Sequence, residues 1–124
     1  MIDWLSDIRL RAAALFSAGL GYLAVALLSW MPAAYRPHIF VVSDKLEHAL
    51  AYLLLGAVSV LATRQIISPH RLALALVAYA GVLEFGQLLI PSRVFSVEDF
   101  LASAAGAIVG VSIAALAVRR LATR

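Results

Sequence analysis

Residues 12–31, AAALFSAGLGYLAVALLSWM, run for twenty positions without a charged side chain. As a helix this stretch is about 30 Å long, the thickness of a bilayer's hydrocarbon layer. Two further blocks have the same character. Residues 72–90 are nineteen positions interrupted only by Glu84 and Gln87, and residues 100–118 are nineteen with no charge. A fourth block, 49–62, is shorter. It reaches spanning length if its helix begins near Asp44 and carries Glu47 and His48 at its end. The rest of the composition agrees: 64% of the 124 residues are hydrophobic and 14% charged, and the mean hydropathy is +0.97. A soluble domain so composed would have too little polar surface to present to water. The expected fold is therefore all-α, a four-helix transmembrane bundle in one domain over residues 1–124. Its helices are expected at about 12–31, 45–63, 72–90 and 99–118.

The first block is too long for the hydrophobic region of a signal peptide, and its end at Trp30-Met31-Pro32 has no small-x-small cleavage site. It is expected to remain as a span, with Trp4 and Trp30 as interfacial anchors. The chain has no cysteine, which excludes disulfides, thiolate catalysis and thiolate metal sites.

Four crossings place the termini and the 64–71 connection on one side. Seven of the ten basic residues fall there: Arg9, Arg11, Arg64, Arg71, Arg119, Arg120 and Arg124. Arg36, Lys45 and Arg93 fall on the other side. The positive-inside rule then predicts that both termini are cytoplasmic. Only Asp3 and Asp7 lie inside, whereas Asp44, Glu47, Glu84, Glu98 and Asp99 lie at or near the outer end. The basic balance thus reflects topology and anionic lipid contact, and no nucleic-acid partner is expected.

The polar side chains at the outer end form a pattern. Asp44, His48, Tyr52 and Gly56 are spaced by four and share one face of the second helix. Glu84 and Gln87 lie one turn apart near the end of the third. Asp99, Ser103, Gly106 and Gly110 share a face of the fourth, the two glycines in small-xxx-small spacing. An ionisable group inside a span must turn toward the bundle, since hydrocarbon does not solvate it. Simple structural roles account for some of these residues. Asp44 with Glu47, and Ser96 with Asp99, have capping-box spacing, His48 and Tyr52 suit interhelical hydrogen bonds, and Arg36 and Glu98 suit interface anchors. Glu84 resists such a reading, because a carboxylate within a span is costly unless it is neutral or paired. Lys45, His48, Gln87 and Arg93 are its available partners.

Taken together, Asp44-Lys45-x-x-His48-x-x-x-Tyr52-x-x-Leu55-Gly56, Glu84-x-x-Gln87, and Arg93-x-x-Ser96-x-x-Asp99 with Gly106 resemble the VanZ-like family of bacterial membrane proteins. The resemblance extends from position 43 to about 110, with each block in the family's order. One departure is Ser103, where the family usually has Asn four residues after the aspartate. Serine lacks the paired donor and acceptor of an amide, so a ligand contact made by that Asn would be weakened or rearranged. The resemblance implies a role in the cell envelope and a connection to glycopeptide resistance of the teicoplanin type.

The residues themselves suggest two kinds of function. The first is binding or modification of a lipid-linked envelope precursor, such as a polyprenyl phosphate, with Asp44, Lys45, Tyr52, Gln87, Arg93, Ser96 and Ser103 as ligand contacts. Helix starts and basic side chains at one end favour a phosphate, although the cluster is acidic overall. The second is a hydrolase or transferase using His48, Glu84 and Asp99 as acid–base groups. His48, Asp44, Glu84 and Asp99 are ligand-type residues, but no HxxxH or HExxH spacing is present, so no metal or cofactor is assigned. A third reading is a helix partner in an envelope complex or a homo-oligomer, joined through Gly106 and Gly110.

Overall fold

The computed structural model describes residues 8–37, 43–63 and 66–124. Asp3, Trp4, Asp7 and Arg64, which the sequence reading assigned to the cytoplasmic face, lie outside the described residues. Four long helices account for most of the chain: α1 (Ile8–Trp30), α2 (Asp44–Thr63), α3 (Pro69–Gly86) and α4 (Val97–Ala122). Short 3₁₀ turns follow α1 at Ala33–Tyr35 and α3 at Gln87–Leu89. All four helices are long and apolar enough to cross a membrane. The expected bounds lie within a few residues of those observed, the largest difference being four at one end of each of α1, α3 and α4.

Local chemistry sets several of the ends. Ser68 caps α3 by accepting the Arg71 N–H, and Pro69 follows it at the first helical position, where the missing N–H costs nothing. Ser96 caps α4 by accepting the Asp99 N–H at 3.2 Å. At α2 the hydroxyl of Ser43 accepts the Leu46 N–H, so a capping interaction begins one residue before Asp44. Glu47 turns instead to Arg36, 3.4 Å away.

The most extensive interface is between α2 and α4; α1 packs on α2 and α3 on α4, with narrower contacts from α3 to α2 and α1. Small residues permit the central contact. Gly106 and Gly110 of α4 lie against the backbone of Ala49 and Leu53, and Gly56 of α2 lies against Ala107 and Val111. The close approach expected of Gly106 and Gly110 is thus made to α2 of the same chain. Leu76, Ala107 and Val111 are almost wholly enclosed.

The outside of the bundle is apolar. Phe16, Leu23, Leu54, Leu74, Val82 and Ile113 are all more than half exposed, which suits a hydrocarbon surround. Helix α1 is the most loosely held, with Ala18 its one buried residue. Polar ties compensate: the Tyr79 hydroxyl donates to the Tyr22 carbonyl, Tyr22 bonds Ser59 at 3.0 Å, and the Trp30 indole donates to the Leu83 carbonyl at 3.2 Å.

Candidate functional site

The start of α2, the end of α3 and the start of α4 converge at one end of the bundle, beside the end of α1. Each contributes one member of a compact cluster. His48 from α2, Glu84 from α3 and Asp99 from α4 each place a donor atom within 4.8 Å of the others. His48 Nδ1 lies 2.8 Å from the Asp44 carbonyl oxygen. A carbonyl only accepts, so Nδ1 carries a proton and Nε2 is left facing Glu84 Oε1 at 3.8 Å.

Glu84 is 3% exposed. Its Oε2 accepts the Ser96 N–H and its Oε1 accepts the Gln87 amide, both at a long 3.4 Å. Ser96 therefore joins the two helices: its hydroxyl accepts the Asp99 backbone N–H and its own backbone N–H reaches the Glu84 carboxylate. Gln87 is buried as well. Lys45 stands on the exposed side, 2.9 Å from Glu98 and 3.8 Å from Asp99. Ser103 is buried one turn below Asp99, and Asp44 meets the cluster through its backbone carbonyl.

Behind His48, a cavity of about 350 Å³ opens between α1 and α2. Its lower walls are apolar, built from Val25, Leu28, Leu50, Ala51, Leu53 and Leu54. Its polar end is formed by Arg36, Glu47, His48 and Arg93, and Tyr52 also lines it. A second hollow of about 220 Å³ continues down the α1–α2 seam, sharing Val25, Ala51 and Leu54. Arg93 Nη2 donates to the carbonyls of Leu28 and Ser29 at 2.9 and 3.0 Å, while its Nε is buried without a hydrogen-bond partner. Burial, and then the neighbouring Arg36, lower the pKa of Arg93 from its ordinary value, yet a guanidinium remains charged at physiological pH.

The fold thus divides the sequence-predicted residues into two groups that meet at His48. Glu84, Gln87, Ser96 and Asp99 belong to the carboxylate cluster; Tyr52 and Arg93 belong to the cavity. Arg36 and Glu47 are additions, since sequence reasoning made one an anchor and the other a cap. A signal for Arg36 was present: it is one of three basic residues on the otherwise acidic side.

The family model for VanZ/LLP1 matches residues 4–118. The chain belongs to the VanZ/LLP1 family. With four helices of spanning length, this VanZ/LLP1 chain is a multi-pass membrane protein. No curated protein and no solved structure matches it. The VanZ/LLP1 match takes in α1, α2, α3 and most of α4, so α1, which lay outside the motif-based resemblance, falls within the matched region.

Proposed function

We propose that the protein binds, and presents for modification, a lipid-linked envelope precursor with an anionic head group of the polyprenyl phosphate kind, at the outer face of the bacterial inner membrane. The observation that carries this reading is the cavity, apolar along the α1–α2 seam and closed at its polar end by Arg36 and Arg93. A chain of methylenes along the seam gains about 0.8 kcal/mol per buried CH₂ where the alternative is water. Within a bilayer that gain vanishes, so specificity rests on the head group. Arginine suits that task, because its planar fork matches phosphate oxygens. Arg93 Nε is a buried donor still in need of an acceptor. The grouping of His48, Glu84 and Asp99 beside the same cavity supports the modifying half of the reading, a hydrolase or transferase acting on the head group. Interference with glycopeptide action, which the family resemblance implies, would follow from handling such a precursor.

Mass spectrometry of protein purified from bacterial membranes in mild detergent tests the ligand. Wild-type protein is expected to carry an anionic polyprenyl lipid. Arg36→Gln should lower its recovery about ten- to a hundredfold, the loss expected for a charged hydrogen bond of about 1.5–3 kcal/mol. Ala51→Phe, which fills the cavity without changing charge, should do the same. Wild-type recovery in both variants would sink the proposal.

The orientation has a separate test, because any introduced cysteine is unique. Val94 is 80% exposed and Ile66 73% exposed, in connections at opposite ends of the bundle. An impermeant maleimide should label Val94→Cys in intact spheroplasts and Ile66→Cys only after permeabilisation. The reverse pattern would place the cavity's polar end in the cytoplasm.

A further inference from the structure

We propose that His48, Glu84 and Asp99 form a centre for a divalent metal ion of the zinc type, set in the wall of the cavity. The inference rests on the amphiphile reading for its purpose but not for its geometry.

The geometry begins with the imidazole. With Nδ1 held by the Asp44 carbonyl, neutral His48 turns its Nε2 lone pair toward Glu84 Oε1. Two acceptors then face each other at 3.8 Å, beyond hydrogen-bond reach, an arrangement that a cation between them would satisfy. Asp99 brings a third acceptor into the same 4.8 Å group.

The protein meets the charge of Glu84 only at a distance: Arg93 acts on it electrostatically while its guanidinium is bonded to the α1 carbonyls. Glu84 has a side chain 4% exposed and Asp99 one 21% exposed. The donors to Glu84, the Ser96 N–H and the Gln87 amide, are neutral and distant. Lys45 is closer to Glu98 than to Asp99. Two carboxylates and one imidazole in a low-dielectric setting are therefore compensated most fully by a dication.

The donor set also has the outer support that metal ligands show. The His48 ring is oriented by a backbone carbonyl, the Glu84 carboxylate is held by the Ser96 N–H, and Ser96 also caps the helix turn that carries Asp99. Bonds of about 2.0–2.2 Å put neighbouring ligands of a tetrahedral ion roughly 3.3–3.5 Å apart. The ligand atoms, now within 4.8 Å of one another, close to that range when the two carboxylates turn toward a common point. One nitrogen and two oxygens suit zinc better than magnesium or calcium, which prefer all-oxygen shells. Three protein ligands leave a fourth position open, as in a metal site that acts as a Lewis acid. Since His48 also lines the cavity, that position is available to a phosphate oxygen held near Arg36 and Arg93.

The test uses the full chain, purified in mild detergent with a histidine-free affinity tag, stripped with chelator, and incubated with zinc chloride before desalting. Elemental analysis is expected to find about one zinc per wild-type chain. His48→Ala, Asp99→Asn and Glu84→Gln should each lower occupancy at limiting zinc by about tenfold or more. Glu84→Gln retains an oxygen for the Ser96 N–H, so it keeps the fold while losing the charge. Added zinc should raise the unfolding temperature of wild-type protein and leave that of Glu84→Gln unchanged. His70→Ala, at the far end of α3, should bind as wild type. No zinc on the wild-type chain, wild-type occupancy in the three variants, or loss in His70→Ala would each overturn the centre. Lipid recovery separates the two proposals: an amphiphile without zinc leaves the cavity reading standing alone, and zinc without an amphiphile leaves the metal centre standing alone.

Discussion

Replacing Gly110 or Gly106 by valine should abolish the folded protein. A Cβ at Gly106 would overlap the Ala49 carbonyl, and one at Gly110 the Leu53 carbonyl. These obstacles are backbone, so no rotamer change relieves them. The two central helices would have to separate, and α2–α4 is the interface on which the others are mounted. Inserting even a methylene into a tight core costs about 1–3 kcal/mol. Prying two helix backbones apart should cost about 3 kcal/mol or more, a large part of a typical total of about 5–15 kcal/mol. Thermal unfolding and size-exclusion profiles in detergent would show it as aggregated or absent protein. Two other glycines serve as controls. Gly19 has nothing within 4 Å of its Cβ position, and at Gly81 the near neighbour is Phe100 at an ordinary 3.5 Å. Alanine at either should be tolerated, with a gain of up to about 1 kcal/mol from helix propensity. A folded Gly110→Val protein of wild-type stability would mean that α2 and α4 do not pack through this seam.

That contrast among glycines marks where sequence reasoning stops. The number of spans was legible because the length of an apolar run is a local property that the bilayer reads directly. The face bearing Asp99, Ser103, Gly106 and Gly110 was legible for the same reason, since it follows from helical period alone. Which helix would lie against that face was not, because small residues declare that an approach is close without naming the neighbour. Glu84 stood out as a charge within a span, and its burial follows from the cost of the alternative. Its grouping with His48 and Asp99 was expected from their shared end of the bundle, but their approach within 4.8 Å depends on the depth at which three helices cross. The α1–α2 cavity was invisible for a further reason. It is bounded by Val25, Leu28, Leu50 and Leu54, ordinary residues of a span whose only distinction is that two helices part beside them. Arg36 and Glu47 acquired meaning from that opening.

Arg93→Ala should free the outer end of α1 while leaving the centre of the bundle intact. The carbonyls of Leu28 and Ser29 belong to the last turn of α1, where intrahelical donors run out. Arg93 supplies donors to both and places its charge at the negative end of that helix. Little else holds this turn: α1 has Ala18 as its one buried residue, and the neighbouring ties are the Trp30 indole on Leu83 and the Ala33 N–H on Ser92. Losing two charge-assisted bonds should cost about 3 kcal/mol, which is roughly a hundredfold in local opening. Hydrogen exchange should therefore quicken about a hundredfold at the amides of residues 26–30, with those of Ala107 and Val111 unchanged. Arg93→Lys, with its charge but without the planar fork, should fall between. Uniform acceleration across all four helices would show instead that the tie is a global one. Comparison with Arg36→Gln then separates two ways of losing an amphiphile. Arg36 bonds Glu47 of α2 and not the end of α1, so its variant should shed the head group while exchange at residues 26–30 stays slow. Arg93→Ala should shed the amphiphile and loosen the wall together, because the residue proposed to meet the head group also ties the end of α1 that borders the cavity.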